Sequence, residues 1–414
     1  MEILATSKRE PIVWPKGDVT RVPYRIYTDP EIFQREMERI FGGAGWAYVG
    51  LEAEIPNGGD YLVTRIGNRS VVITRDQDGY VHGFANRCAH RGVKLCRQRQ
   101  GNSRVFVCPY HHWSYDHQGH LRGVPFINGV KKQGGMPEDF AREDHNLPAL
   151  SIATRGGVIF ASFADDAPPL DDYLGESNRH YFDRVFDGRD LVVLGYSRQL
   201  IPGNWKLMFE NIKDPYHASL LHVFLVSFGL FRADQKSQVR TDETGRHGLL
   251  ISRRGEQKST EATRDISNLK EEFKLADPRL LDPVKEFPDD VTVVMQTVWP
   301  NLIVQQQSNT LALRQIQPRD AGSFELHWTF FGYADDDEAM VQRRLRQANL
   351  MSSAGLVSAD DSEVIKLAQQ GVAQYPEDAG VMLLGGRGTA DEEHMVTESA
   401  IRAFYAHYRE VMAL

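Results

Sequence analysis

Two short Cys–His clusters constrain this chain more than any other feature. They are Cys88-Ala-His90 and, seventeen residues later, Cys108-Pro-Tyr-His111. Each puts a thiol and an imidazole on a segment too short for regular structure, so each is expected at the tip of a loop. Cysteine is otherwise scarce, with 3 in 414 residues, too few for a disulfide framework. Cys96 has no histidine beside it and reads as a small buried residue.

Two such loops brought together offer two thiolates to one metal and two imidazoles to another. That suits a [2Fe–2S] cluster whose outer iron carries histidine, a Rieske centre. Replacing two anionic thiolates by neutral imidazoles raises the reduction potential and makes the cluster a one-electron donor suited to oxygen chemistry. A Cys₂His₂ zinc site uses the same residue types, but as a Cys pair followed by a His pair rather than as alternating Cys–His pairs. A reading with no ligand at all must explain four donor residues at tight spacing.

The length predicts two domains. Residues 30–43 place apolar groups at helical spacing and end in a Gly pair. From about 46 to 163 the texture turns to short β-rich runs at 61–65, 69–75, 80–85, 105–107, 113–115 and 157–163, with a hairpin turn at Asp78-Gly79. An acidic, Pro-containing stretch follows, ADDAPPLDDYLG. Beyond it, 291–298, 302–307, 311–317 and 324–333 read as adjacent antiparallel strands. Segments 338–350 and 397–412 read as helices, the second with a core-packing stripe of Ile401, Phe404, Tyr405, Tyr408 and Met412. The expected fold is α+β: an all-β [2Fe–2S] domain at 44–165, and a catalytic domain built from 1–43 and 166–414, with an antiparallel sheet flanked by helices. The net charge of −8 argues against nucleic acid or anionic membrane as partner. No signal-peptide core or long apolar run is seen, so a cytoplasmic location is expected.

A second constellation lies at 203–222, GNWKLMFENIKDPYHASLLH. Asp214, His217 and His222 form D-x2-H-x4-H, and two histidines with one carboxylate make the facial triad of non-heme Fe(II) oxygenases. In a regular helix, at ~100° per residue, His217 and His222 would point roughly 140° apart. They can share one metal only if the helix is broken or widened between them. A zinc-peptidase H-x3-H pair would need no such distortion.

These segments resemble the large (alpha) subunits of Rieske non-heme-iron ring-hydroxylating oxygenases. CAHRG at 88–92 and CPYHHW at 108–113 match the cluster motif. The resemblance implies that Cys88 and Cys108 hold the buried iron and that His90 and His111 hold the exposed one, with His112 outside the pattern. Glu210-Asn211, Asp214, Tyr216-His217 and His222 occupy the family's catalytic signature, so Asn211 and Asp214 are the candidate catalytic residues. By that resemblance Asp214 is not a ligand. It bridges a histidine of the mononuclear site to a cluster histidine of a neighbouring subunit. The third iron ligand then comes from AGLVSADDSEV at 354–364, where alignment on Gly355 and the Asp pair favours Asp361 over Asp360. Either Asp could instead cap a helix.

The resemblance spans nearly the whole chain and is closest to the branch acting on salicylate, anthranilate and terephthalate. Shared stretches include VPYRIYTDP (22–30), IPGNWKLM (201–208), RQIQP (314–318) and HMVTESAIR (394–402). It implies mono- or dihydroxylation of an aromatic carboxylate with O2 and with electrons passed from NAD(P)H through a reductase or ferredoxin. It also implies an α3 or α3β3 assembly with a small beta subunit. An arylacetate such as indole-3-acetate or a neutral arene is the alternative substrate; a Rieske electron carrier without oxygenase activity and a scaffold are the alternative classes. A buried carboxylate needs a cation, and Arg314 and Arg402 are the candidates, either of which could be an ordinary salt bridge. Pocket walls are expected from Phe209, Leu220, Phe224, Val293, Met295, Val304 and Val357, any of which could be plain core.

Overall fold

The computed structural model describes residues 12, 14, 18–253, 262–264, 266, 269 and 275–414. Residues 47–162 hold ten strands in three small antiparallel sheets. Strands Asp60–Ile66, Arg69–Arg75 and Val81–Ala85 pair in sequence order, and Gln100–Asn102 closes the other edge. The hairpin at Asp78-Gly79 forms because Asp76 Oδ1 accepts from the N–H groups of Asp78 (3.0 Å) and Tyr80 (2.9 Å), while Gly79 takes φ +92°. That left-handed conformation is open to glycine at no steric cost. A second sheet joins Ala47–Leu51, Val158–Ser162 and Ser151–Arg155. The smallest, of Phe106–Val107, Ser114–Tyr115 and Leu121–Gly123, carries the second Cys–His pair at its turn. Phe84, Phe106, Trp113 and Tyr115 pack around Cys88, Cys96 and Cys108, so Cys96 is the buried residue its sequence context suggested.

The rest of the chain is organised by one seven-stranded antiparallel sheet. Its order is Leu191–Ile201, Ser323–Tyr333, Thr310–Asp320, Leu302–Gln307, Val291–Val298, Gly248–Arg253 and Ser237–Thr241. The four strands read from sequence are its centre, and they are buried along most of their length, the glutamines of Leu302–Gln307 included. Of the three outer strands, Leu191–Ile201 alternates with exposed positions and carries a weaker signal, whereas Gly248–Arg253 is buried through Ser252.

Helices cover this sheet. Pro30–Arg39 starts where Asp29 accepts from the Glu31 N–H and Pro30 takes the first turn, and it ends before Gly42-Gly43. Glu338–Met351 is capped by Asp337. Ser399–Met412 buries Ile401, Phe404, Tyr405, Tyr408 and Met412, the stripe expected to be core. The helix Pro30–Arg39 is tied to the catalytic sheet's helices by a buried polar knot. Glu36 accepts from Lys206 Nζ (2.6 Å), Trp205 Nε1 (2.8 Å) and the Tyr408 hydroxyl (2.6 Å). With both charged groups fully buried, removing one alone would strand the other at a cost of about 3–5 kcal/mol.

The two halves share a continuous core and a polar seam. Tyr48 N–H donates to Asn301 Oδ1 (2.9 Å), Asn301 Nδ2 donates back to Tyr48 O (3.0 Å), and Gln315 Nε2 donates to the same carbonyl (2.7 Å). Among the described residues no helix is long and apolar enough to cross a membrane.

Candidate metal centres

The two Cys–His loops close in the same way. The Gly92 N–H donates to Cys88 O (2.9 Å) and the His112 N–H to Cys108 O (3.0 Å). Gly92 has φ +69° and His112 has φ +57°. His112, adjacent to the cluster motif but outside it, therefore serves the backbone as the left-handed residue that ends the second loop. Cys88 and Cys108 are buried, and the rings of His90 and His111 lie 4.6 Å apart beyond them. His90 stacks on Trp113 at 4.8 Å with the planes 7° apart. Tyr115 OH sits 3.4 Å from Cys88 Sγ and accepts from the Ala89 N–H at 3.2 Å.

Three observations fit an iron–sulfur group here. His90 Nδ1 is buried without a hydrogen-bond partner. Burial, with the Cys88 thiol beside it, holds the Cys108 thiol above its ordinary value, a cost that metal coordination removes by taking the thiolate. The donors separate into a buried sulfur pair and an outer nitrogen pair, the division a cluster with mixed ligands requires.

The second centre is built by a broken helix and a distant one. Trp205–Lys213 begins at Asn204, whose side chain accepts from the Lys206 N–H. Asp214 ends it and starts Pro215–Leu221, accepting from the N–H groups of Tyr216 (2.9 Å) and His217 (3.3 Å). His222 then leaves helical geometry with ψ 63°, and Val223–Ser227 starts a new turn. The break demanded by the five-residue spacing falls at His222 itself rather than in a widened turn. The helix Leu356–Gln374 supplies Asp360 and Asp361.

His217, His222 and Asp361 each present one donor atom, all within 4.8 Å of one another. Asp361 Oδ1 lies 3.1 Å from His222 Nε2 and 3.5 Å from His217 Nε2. Asn211 Nδ2 donates to the same Asp361 oxygen at 3.0 Å. The far nitrogens face other carboxylates: Asp214 Oδ2 is 3.5 Å from His217 Nδ1, and Asp360 Oδ2 is 3.3 Å from His222 Nδ1. A carboxylate on Nδ1 fixes the tautomer that leaves Nε2 free to bind metal. Sequence reasoning weighed Asp360 as a rival ligand or a helix cap; the structure places it behind His222.

Burial opposes a charge on His217, but its hydrogen bonds to Asp214 and Asp361 outweigh that and push its pKa up to about 10. Asp361 is also opposed by burial, yet the two histidines hold it well below the usual carboxylate range. The three groups together stabilise positive charge at their common centre. A divalent ion supplies that charge and displaces the proton, so this donor set fits a metal with open positions.

A cavity opens beside the triad. Asn211, Ile212, Asp214, Leu225, Phe231, Leu250, Val293, Met295, Gln307, Arg314 and Val357 line it with the triad itself. Arg314 is buried, its guanidinium 4.0 Å from the Trp328 ring, and both Nε and Nη2 donate to Gln305 Oε1, Nε at 2.8 Å. Burial, partly offset by Asp361, lowers its pKa to about 9.

Several sequence expectations for this cavity do not hold. Arg402 points elsewhere: Nε donates to Gly388 O (2.6 Å) and Nη1 to Met382 O (3.1 Å) and Leu384 O (3.0 Å), so it braces the 382–388 loop instead of clamping a carboxylate. Phe209 stacks on Phe404 in the core, and Val304 is core on the other side of its strand. Leu220 is 41% exposed, on the outer side of the helix Pro215–Leu221. Phe224 packs on Phe228, 4.7 Å away, behind the lining. Met295, Val293 and Val357 do line the cavity. Ile212, Ala218, Leu225, Phe231, Leu250 and Gln307 were missed; only their proximity in sequence to the triad helices or central strands could have suggested some of them.

Residues 45–133 match the Rieske [2Fe-2S] domain family, and residues 170–414 match the family described as ring hydroxylating alpha subunit (catalytic domain). The chain is 51% identical to the large oxygenase component of salicylate 5-hydroxylase from Ralstonia sp., covering 96% of each chain. It is 41% identical to the large subunit of anthranilate 1,2-dioxygenase from Burkholderia cepacia, covering 96% of this chain and 95% of that one. Its fold is similar to that of naphthalene 1,2-dioxygenase from Rhodococcus sp. bound to indole, with a TM-score of 0.79 at 26% identity over 95% of this chain and 94% of the other.

Proposed function

The chain belongs to the ring-hydroxylating oxygenase alpha-subunit family, and from that premise we propose that it hydroxylates an aromatic carboxylate of the salicylate type. The observation that carries the substrate class is Arg314. This buried cation faces the cavity beside the triad and makes no ion pair among the described residues. Gln305 occupies its Nε and Nη2 edge, which leaves Nη1 to meet a substrate carboxylate. The cavity's other walls are mainly apolar and suit an aromatic ring. The similarity to proteins named for salicylate and anthranilate, both aromatic acids, supports the same reading.

In this reading Cys88, Cys108, His90 and His111 hold the cluster, and His217, His222 and Asp361 hold the iron. When bound, the cluster supplies electrons one at a time, and the iron supplies the open coordination positions that O2 chemistry needs. The chain's own residues do the rest. Asp214 and Asp360 fix the imidazole tautomers, Asn211 steadies Asp361, and Arg314 sets the ring's orientation.

Asp214 is partly exposed and already lies behind His217, which suits a bridge to His90 or His111 of a neighbouring chain in a ring of three. A ferredoxin or reductase carrying electrons from NAD(P)H, a small beta subunit and a cytoplasmic setting complete the proposal. The deciding experiment is turnover of salicylate, anthranilate, terephthalate, indole-3-acetate and naphthalene with one reductase pair. Hydroxylation of the benzoate-type acids is expected. Turnover of naphthalene alone would overturn the carboxylate reading while leaving the family chemistry intact.

A further inference from the structure

A separate cleft of about 360 Å³ opens where the cluster module meets the catalytic sheet. One wall is the strand Asp60–Ile66 with the loop 94–99; the other is formed by residues of Leu191–Ile201, Thr310–Asp320 and Ser323–Tyr333. Five cations line it, Arg65, Lys94, Arg97, Arg99 and Arg198, against two carboxylates, Glu54 and Glu325.

Both carboxylates are already engaged. Glu54 Oε1 accepts from Arg99 Nη2 (3.1 Å) and from the Tyr196 hydroxyl (2.9 Å). Glu325 meets His327 at 2.8 Å and Arg319 at 3.4 Å. Arg65, Lys94, Arg97 and Arg198 make no ion pair among the described residues. A positive excess concentrated this way in a chain of net charge −8 is not a matter of composition. Partial burial and the neighbouring Arg99 push the Arg198 pKa down, and Glu325 and Glu54 only partly offset them.

The floor is polar and fixed. Gln317 Nε2 donates to Gln315 Oε1 (2.6 Å) and to Thr64 Oγ1 (3.3 Å), and Gln315 Nε2 is held by Tyr48 O (2.7 Å). These amides are buried and their N–H groups are spent on one another, on Thr64 and on backbone carbonyls, so the cations of the walls supply the donors for an anion. A single charge cannot satisfy unpaired cations on two walls, whereas a molecule with two or more oxyanion groups can.

We propose that this cleft binds a small polyanion carrying at least two phosphate or carboxylate groups, which clamps the cluster module to the catalytic sheet. The ligand joins Arg65, Lys94 and Arg97 on one wall to Arg198 on the other. The site is independent of the substrate cavity and of the substrate's identity.

The test is calorimetric titration of the metal-loaded enzyme with pyrophosphate and with citrate, at an ionic strength fixed by potassium chloride. Saturable binding is expected, with a rise in Tm as ligand is added. Tighter binding of pyrophosphate assigns the site to phosphate compounds, and tighter binding of citrate to polycarboxylates. Arg97→Gln with Arg198→Gln is expected to weaken binding by about tenfold or more while the cluster's visible spectrum and turnover persist. Lys94→Gln, at an exposed position, repeats the test should the double variant fold poorly. Heats no larger than those of matched chloride, or binding indifferent to these substitutions, would overturn the proposal.

Discussion

The two metal centres are assembled by different means. The cluster loops take all four donors from the stretch between Cys88 and His111, and each loop is closed by its own backbone hydrogen bond, to Cys88 O and to Cys108 O. The second centre joins a broken helix to a far one, and its Asn211–Asp361 contact spans 150 residues. The first is a local structure that the β module only has to hold together. The second exists only once the helices Pro215–Leu221 and Leu356–Gln374 have packed on the sheet. Local ligation is therefore expected to tolerate distant substitutions, whereas the triad depends on the placing of neighbours such as Asp214, Asp360 and Asn211 that are not themselves ligands.

The sharpest way to break this contrast is to remove one donor from each centre. Two signals are read, bound mononuclear iron and the visible spectrum of the cluster. Asp361→Ala is expected to lose the first and keep the second, and Cys108→Ser to lose the second and keep the first. Product formation ends in both, in the second variant because the cluster supplies the electrons. Loss of both signals from either variant would show that the centres fold as one unit. Asp214→Ala comes next: both metals stay bound, but product formation falls by roughly 100-fold while cluster oxidation, followed by stopped flow, is uncoupled from it. Coupled turnover at the original rate would remove Asp214 from the path between centres.

Arg314→Gln should lower kcat/KM for an aromatic acid by about tenfold to 100-fold, the worth of one charge-assisted hydrogen bond, and spare a neutral arene. An equal loss for both would make Arg314 a structural cation. Asp360→Asn keeps a hydrogen-bond acceptor beside His222 and is expected to weaken iron binding by about tenfold, measured by chelator competition. The smallest effect belongs to His112→Gly. Relief of a left-handed non-glycine conformation is worth about 1 kcal/mol, so Tm should hold or rise slightly with cluster content unchanged. Loss of cluster would make His112 a ligand after all.

Much of this was legible in the chain because the relevant signals are short-range. The alternating Cys–His pairs, the five-residue gap between His217 and His222, and the apolar runs of the central strands all survive without tertiary context. The pocket did not. Phe209, Leu220, Phe224 and Val304 are apolar residues close to the motifs, yet they lie in the core, on the surface or behind the lining. A strand shows alternate residues to opposite faces, and a helix break redirects every side chain after it. Arg402 and Arg314 look alike in sequence, each a charge within an apolar segment; one meets three backbone carbonyls and the other meets the cavity.

The sequence by itself determined the oxygenase family, the α+β architecture and the donor types at both centres, since metal chemistry restricts residue type and spacing before any fold exists. Family alignment favoured Asp361 over Asp360 as the ligand, and tertiary structure supplied the role of each: Asp360 stands behind His222 while Asp361 faces both histidines. Neighbouring residues on a helix project about 100° apart, and only the packing of Leu356–Gln374 fixes which of the two carboxylates points inward. The same packing singled out Arg314, and the junction of the two modules gathered Arg65, Lys94, Arg97 and Arg198 into one cleft. Those residues are dispersed along the chain, and no periodicity links them before the sheets meet.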